Sequence, residues 1–255
     1  MNTITPSMSL GEIAGMIPAV TRIFESYGID YCCGGGKSLE EACAKSKIPT
    51  QDVLQSIQLA QQEGPTDQQN RDWLHQPLVT LITHIESAHH KYTRGEVIRL
   101  VPMLRKLITV HGKNHPELER ICAAFESLAV ELTDHMEKEE TVLFPYIVRM
   151  AQTSAAAKPH EAPGLGTIRK HVATMTFEHE AAGNKLEAIR QASSGYSVPQ
   201  DGCTTYRMVY RALAAFEADL HQHIHLENNI LFPRAIEVEE KLRSEDRIRE
   251  RRPAN

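Results

Sequence analysis

The stretch HMEKEETVLFP at residues 135–145 returns as HIHLENNILFP at 223–233, offset by 88 residues, with His, Glu, Leu, Phe and Pro in register. On a helix, positions i and i+4 share one face. His135 and Glu139 therefore point the same way, as do His223 and Glu227. Their neighbours are apolar: Leu132, Val142 and Leu143 around the first pair, and Leu220, Ile224, Ile230 and Leu231 around the second. This pattern turns both pairs inward. A single His-x-x-x-Glu is ordinarily a surface pair, but two in register are not. A buried carboxylate is costly unless its charge is offset. Two facing carboxylates are worse, unless a cation lies between them.

The repeat extends to the remaining helices. His179, in TFEHEAAG, precedes His223 by 44 residues, and His90, in SAHHKYTRGEV, precedes His135 by 45. A pseudo-two-fold bundle then brings His90, His135, Glu139, His179, His223 and Glu227 together. Each half supplies two His and one Glu. That is a ligand set for two metal ions bridged by two carboxylates, with room for a bridging oxygen. Helix one leaves an alternative open. Apolar periodicity through Leu78, Ile82 and Ile85 aims His89 more directly at the core than His90, with His84 a third choice. The donor types alone also admit zinc or manganese in a structural role.

The remainder of the chain reads as all-α. Long amphipathic stretches cover roughly 76–111, 116–151, 165–193 and 203–244. They are separated by VHGKNHPEL, TSAAAKPHEAPG and SSGYSVPQDGC. Short connections between long helices predict an antiparallel up-down four-helix bundle over 77–244. Residues 1–65 form a small helical, Cys-containing N-terminal domain, with a capping box at Ser38-x-x-Glu41 and a helix start at Thr50. A polar linker spans 66–76, and 245–255 is a charged, solvated tail. A net charge of −5 over 255 residues argues against nucleic acid as a partner. No apolar run of about 18 residues exists, so no membrane span is expected. The N-terminus lacks the pattern of a signal peptide. Five cysteines without a regular framework suit a reducing cytoplasm.

The segments HMEKEETVLFP, HIHLENNILFP and FEHEAAG, together with YGIDYCCGGGKSL near the N-terminus, resemble the repair-of-iron-centres family, of the YtfE/ScdA type. The resemblance spans about residues 8–240. It implies a hemerythrin-like bundle holding two iron ions with an oxo or hydroxo bridge, and it favours His90 over His89. The implied ligands are His90, His135, Glu139, His179, His223 and Glu227. Oxygen-carrying hemerythrins use five His; four leave an additional position open. The implied role is repair of iron–sulfur proteins damaged by nitrosative or oxidative stress, by supplying iron. Two other roles are compatible with the same site: a non-haem di-iron nitric oxide reductase, and an O2- or NO-sensing binding protein. Cys32 and Cys33 are candidates for thiol or metal transfer. The same pair also fits a small turn in which Cys packs as an apolar side chain. Adjacent cysteines are too tightly placed for a relaxed mutual disulfide. The Cys-containing domain also invites self-association into a homodimer. Cys43, Cys122 and Cys203 read as structural, His111 as a helix-end residue, and His115, His160, His171 and His221 as surface residues. His225 reads as facing away from His223.

Overall fold

The computed structural model describes residues 3–63, 72–156 and 167–250. Most of the linker read at 66–76, His160, and residues 251–255 of the tail, lie outside the described residues. The fold is all-α. Four short N-terminal helices, α1 (Leu10–Met16), α2 (Val20–Ser26), α3 (Leu39–Ser46) and α4 (Thr50–Glu63), precede the long ones. The long stretches of the antiparallel bundle follow. The first joins α5 (Leu78–His84) to α6 (Lys91–His111), and the second joins α7 (Glu117–Lys138) to α8 (Phe144–Ala156). The third is α9 (Ile168–Ala192), and the fourth joins α10 (Thr204–His225) to α11 (Phe232–Glu250). Among the described residues the only β pairing is an isolated antiparallel bridge between Ser9 and Ser38. No described helix is long and apolar enough to cross a membrane.

The chain divides into two compact units: one of residues 1–82, 146–172 and 221–255, the other of 83–145 and 173–220. In the first, the N-terminal helices enclose Leu10, Ile13, Val20, Phe24, Tyr31, Leu39, Val53 and Ile57. The apolar spacing of 13–24 runs through Pro18, and the structure breaks there into α1 and α2. Proline lacks the donor that a continuous helix needs and disfavours helical backbone just before it. Ser9 with Glu12, and Ser38 with Glu41, each form a complete capping box. Such a cap contributes about 1 kcal/mol. The two caps sit side by side, with Leu10 N–H donating to Lys37 O at 2.9 Å and Leu39 N–H to Met8 O at 2.9 Å.

The glycine turn after Cys33 is shaped by a close approach. Asn229 Nδ2 donates to Tyr31 O at 3.0 Å. A Cβ on Gly35 would lie 2.2 Å from Asn229 Oδ1, and one on Gly11 would lie 2.7 Å from it. Gly36 has nothing within 4 Å of its notional Cβ. His225 is buried against the Tyr31 ring, with centroids 5.5 Å apart. Its facing away from His223 is therefore not exposure to water but docking of the cysteine turn.

The second unit is packed by Leu104, Leu118, Ile121, Phe125, Leu128, Leu213 and Phe216. Phe125 and Phe216 meet edge to face at 5.2 Å. At one end, Cys203 precedes α10 and is exposed, not packed. Backbone N–H groups of the first helical turn and His111 Nε2, 3.3 Å away, hold its thiol down to about 7. His115, read as a surface residue, is half-buried and joins Asp201 and Glu117 at 2.9 Å each.

Gly35→Ala should push Asn229 off Tyr31 and cost about 1–3 kcal/mol, whereas Gly36→Ala should change stability by less than about 0.5 kcal/mol. Urea unfolding of both variants checks the contrast. Equal effects would contradict the close-approach account.

Candidate metal centre

Three of the long stretches share a departure from α-helix that sequence periodicity does not report. Ile85–His90, Glu139–Leu143 and Leu226–Leu231 are π-helical. A π turn adds a residue to the helical circuit and re-aims the side chains around it; such turns recur at functional sites. Five of the six sequence-derived ligands lie in these turns or within four residues of one: His90, His135, Glu139, His223 and Glu227. Phe144 N–H closes on Glu139 O and Phe232 N–H on Glu227 O, the i+5 pairing of a wide turn. Pro145 and Pro233 follow directly. A proline in an α-helix meets the carbonyl four residues back, and a wider turn relieves that contact. This accounts for the repeated Leu-Phe-Pro in the last two turns. The turn at Ile85–His90 is followed by Lys91, not by a proline.

Within the second unit, Glu139 is fully buried, at 0% exposure, with imidazoles on both oxygens. His90 Nε2 lies 3.4 Å from Oε2, and His135 Nε2 lies 3.4 Å from Oε1. His179 Nε2 is 2.9 Å from His135 Nε2. Ligand atoms of His135, Glu139 and His179 all fall within 4.8 Å of one another. In the first unit, His223 Nε2 lies 3.1 Å from Oε1 of Glu227, which is also at 0% exposure. The two pairs of the sequence repeat thus have the same internal arrangement. The alternatives on helix one separate clearly. His90 faces Glu139, whereas His89 Nδ1 pairs with Asp219 at 3.0 Å and its ring meets that of His84.

The outer faces of two imidazoles are also fixed. His90 Nδ1–H donates to Glu140 Oε1 at 2.7 Å, and His135 Nδ1–H donates to Glu178 Oε2 at 2.8 Å. A carboxylate only accepts, so each ring carries a proton on Nδ1 and turns Nε2, the nitrogen that would bind a metal, inward. Burial pushes the Glu140 carboxyl up, but bonds from Arg94 and His90 outweigh it and leave it lowered. Glu178 is likewise lowered, with burial opposed by Lys138 and His135. Both acceptors therefore stay ionised at neutral pH. Imidazole nitrogens facing inward around a fully buried carboxylate fit a metal cation. The cation supplies the positive charge that the carboxylate lacks. Imidazole and carboxylate donors accept iron, zinc or manganese.

Cys32 and Cys33 form a separate group with Asp30, their ligand atoms within 4.8 Å. Cys32 is buried and Cys33 half-buried, with the sulfurs 3.9 Å apart and unbridged. The bond to Cys33, followed by burial, pushes the Cys32 thiol well up. The sequence reading did not find the outer carboxylates Glu140 and Glu178. Each lies next to a candidate ligand on a helix, at i+1 from Glu139 and i−1 from His179, so that adjacency was the available signal.

Comparison with known proteins identifies two domains and a family of relatives. Residues 81–235 match the hemerythrin HHE cation binding domain, and residues 6–61 match a domain of unknown function, DUF542 (ScdA_N). The chain is 36% identical over 233 residues to an iron-sulfur cluster repair protein YtfE from Yersinia pseudotuberculosis serotype IB, covering 91% of this chain and 98% of that protein. The YtfE proteins of Yersinia pestis strains Pestoides F and Angola match over the same 233 residues with the same 36% identity.

Glu139→Gln removes a buried charge while keeping the shape. In chelator it should stabilise the metal-free protein by about 1–3 kcal/mol, and it should abolish the stabilisation that added metal gives the parent chain. Denaturant melts with and without metal measure both. A destabilised metal-free variant would contradict the reading of Glu139 as a charge held for a cation.

Proposed function

Because the chain belongs to the repair-of-iron-centres family, we propose that it carries two iron ions on His90, His135, Glu139, His179, His223 and Glu227 and supplies iron to damaged iron–sulfur proteins. The observation that carries this reading is the repeated His-x-x-x-Glu pair, each copy ending on a fully buried carboxylate beside an imidazole nitrogen. The names of the YtfE relatives support the client class, iron–sulfur clusters in need of repair. Iron is then cargo that the chain must hold and also give up. Four His and two Glu suit that balance better than a fuller imidazole set. Hard carboxylate donors favour the ferric pair, and reduction weakens their hold. NO or O2 can act as small ligands at such a site. Five free thiols suit a reducing cytoplasm.

Asp30, Cys32 and Cys33 are the proposed handover point. Asn228, the residue after Glu227, donates to Cys32 O at 3.4 Å. The Cys32 thiol is protonated at neutral pH, so a metal arriving there displaces its proton. That makes occupancy transient and pH-dependent.

Iron-loaded protein mixed with an apo iron–sulfur protein, sulfide and reductant should restore the client's cluster absorption. A Cys32→Ser/Cys33→Ser double variant should keep its iron and transfer it about tenfold more slowly. Transfer at the parent rate would remove the thiols from the pathway. No transfer, with many turnovers of nitrous oxide from NO, would replace iron supply by the reductase reading.

A further inference from the structure

Resting on that iron-cargo reading, we propose that Glu140 and Glu178 are positioning residues of unequal strength, so that the ion on the His135 and His179 side is released first. The two carboxylates do the same job. Each takes the Nδ1–H of a ligand imidazole, and each is held by a cation from the helix surface. The holds differ in kind.

Glu140 is gripped by a fork. Arg94 Nη1 donates to Oε1 at 2.8 Å and Nη2 to Oε2 at 2.9 Å. A guanidinium is planar and always charged, and it is pre-organised for a bidentate carboxylate contact. The His90 ring is also stacked on Phe144, with centroids 5.7 Å apart and planes 19° apart. His90 is thus fixed at Nδ1, on a ring face and by its burial.

Among the described residues, Glu178 is held by a cation at one point. Lys138 Nζ donates to Oε1 at 2.8 Å. The same ammonium pairs with Asp134 at 2.6 Å, and Asp134 is 65% exposed. Lys138 can therefore leave Glu178 and remain paired, one helical turn back along α7. A flexible ammonium shared with a solvent-facing carboxylate is a weaker clamp than a committed guanidinium fork. An outer carboxylate that wanders loosens the ring it orients and lowers that ring's basicity as a ligand. The imidazole under the weaker clamp is His135, whose Nε2 is the close neighbour of His179 Nε2.

The test uses the full chain loaded with cobalt(II), whose visible absorption reports the ligand field of each ion independently of any repair activity. Challenge with a chelator should remove about two ions per parent chain in two phases of equal amplitude. Glu178→Ala should accelerate the fast phase about 10–100-fold and leave the slow phase in place. Glu140→Ala should accelerate the slow phase instead, and Lys138→Met should reproduce part of the Glu178→Ala effect. Far-ultraviolet circular dichroism of the metal-free variants checks folding. If an alanine variant does not fold, the corresponding Gln, which keeps an acceptor but loses the charge, takes its place with the same expected phase. Two ions leaving in a single phase, or Glu178→Ala acting on the slow phase, would overturn the asymmetry while leaving the six-ligand reading intact. A parent chain that holds fewer than two ions would overturn that reading, and the asymmetry with it.

Discussion

The arrangement depends on burying charge. Glu139 and Glu227 are completely withdrawn from water in a bundle otherwise packed by Leu, Ile and Phe. An ionised carboxylate in such surroundings costs several kcal/mol unless opposite charge or donors reach it. The surrounding structure answers that cost. π turns occur where the helices carry these residues. Imidazole nitrogens come within 3.1–3.4 Å of the carboxylate oxygens. Glu140 and Glu178 hold two of the rings by Nδ1, so that Nε2 of each faces the carboxylate. A core designed only for stability would place leucine at both glutamates.

The N-terminal helices follow a different logic. Their small core is set by paired capping boxes, and the glycine turn is set by the space one asparagine needs. Asn229 lies in the π turn Leu226–Leu231 that begins beside Glu227. Its amide reaches the backbone of Tyr31, and Asn228 reaches that of Cys32. The turn that holds Glu227, a proposed metal ligand, thereby also presents the amides that fasten the cysteine loop. This shared turn is the structural reason to consider iron handover and thiol chemistry together.

Much of this was legible in the sequence because a repeat carries more information than a motif. One His-x-x-x-Glu says little, but an 88-residue echo with His at matching distances upstream identifies the helices, their order and the buried face. Ser38-x-x-Glu41 and Thr50 marked helix starts that the structure has. The π turns were not legible, since one added residue barely disturbs an apolar period over a long helix. Periodicity pointed to His89 rather than His90, because within a π turn the 100° step on which that argument rests no longer holds. His225 faces away from His223 as expected, but what it meets there was not legible. A helix angle says which way a residue points, not what the rest of the chain brings to meet it, and here that is Tyr31.

The most direct test of the account is the iron content of the purified protein, measured with its absorption spectrum before and after reduction. The account predicts about two iron ions per chain, near-ultraviolet bands that bleach on reduction, and loss of both metal and bands in His135→Ala and Glu227→Ala. Zinc alone, or a fully helical protein that takes up no iron, would contradict it.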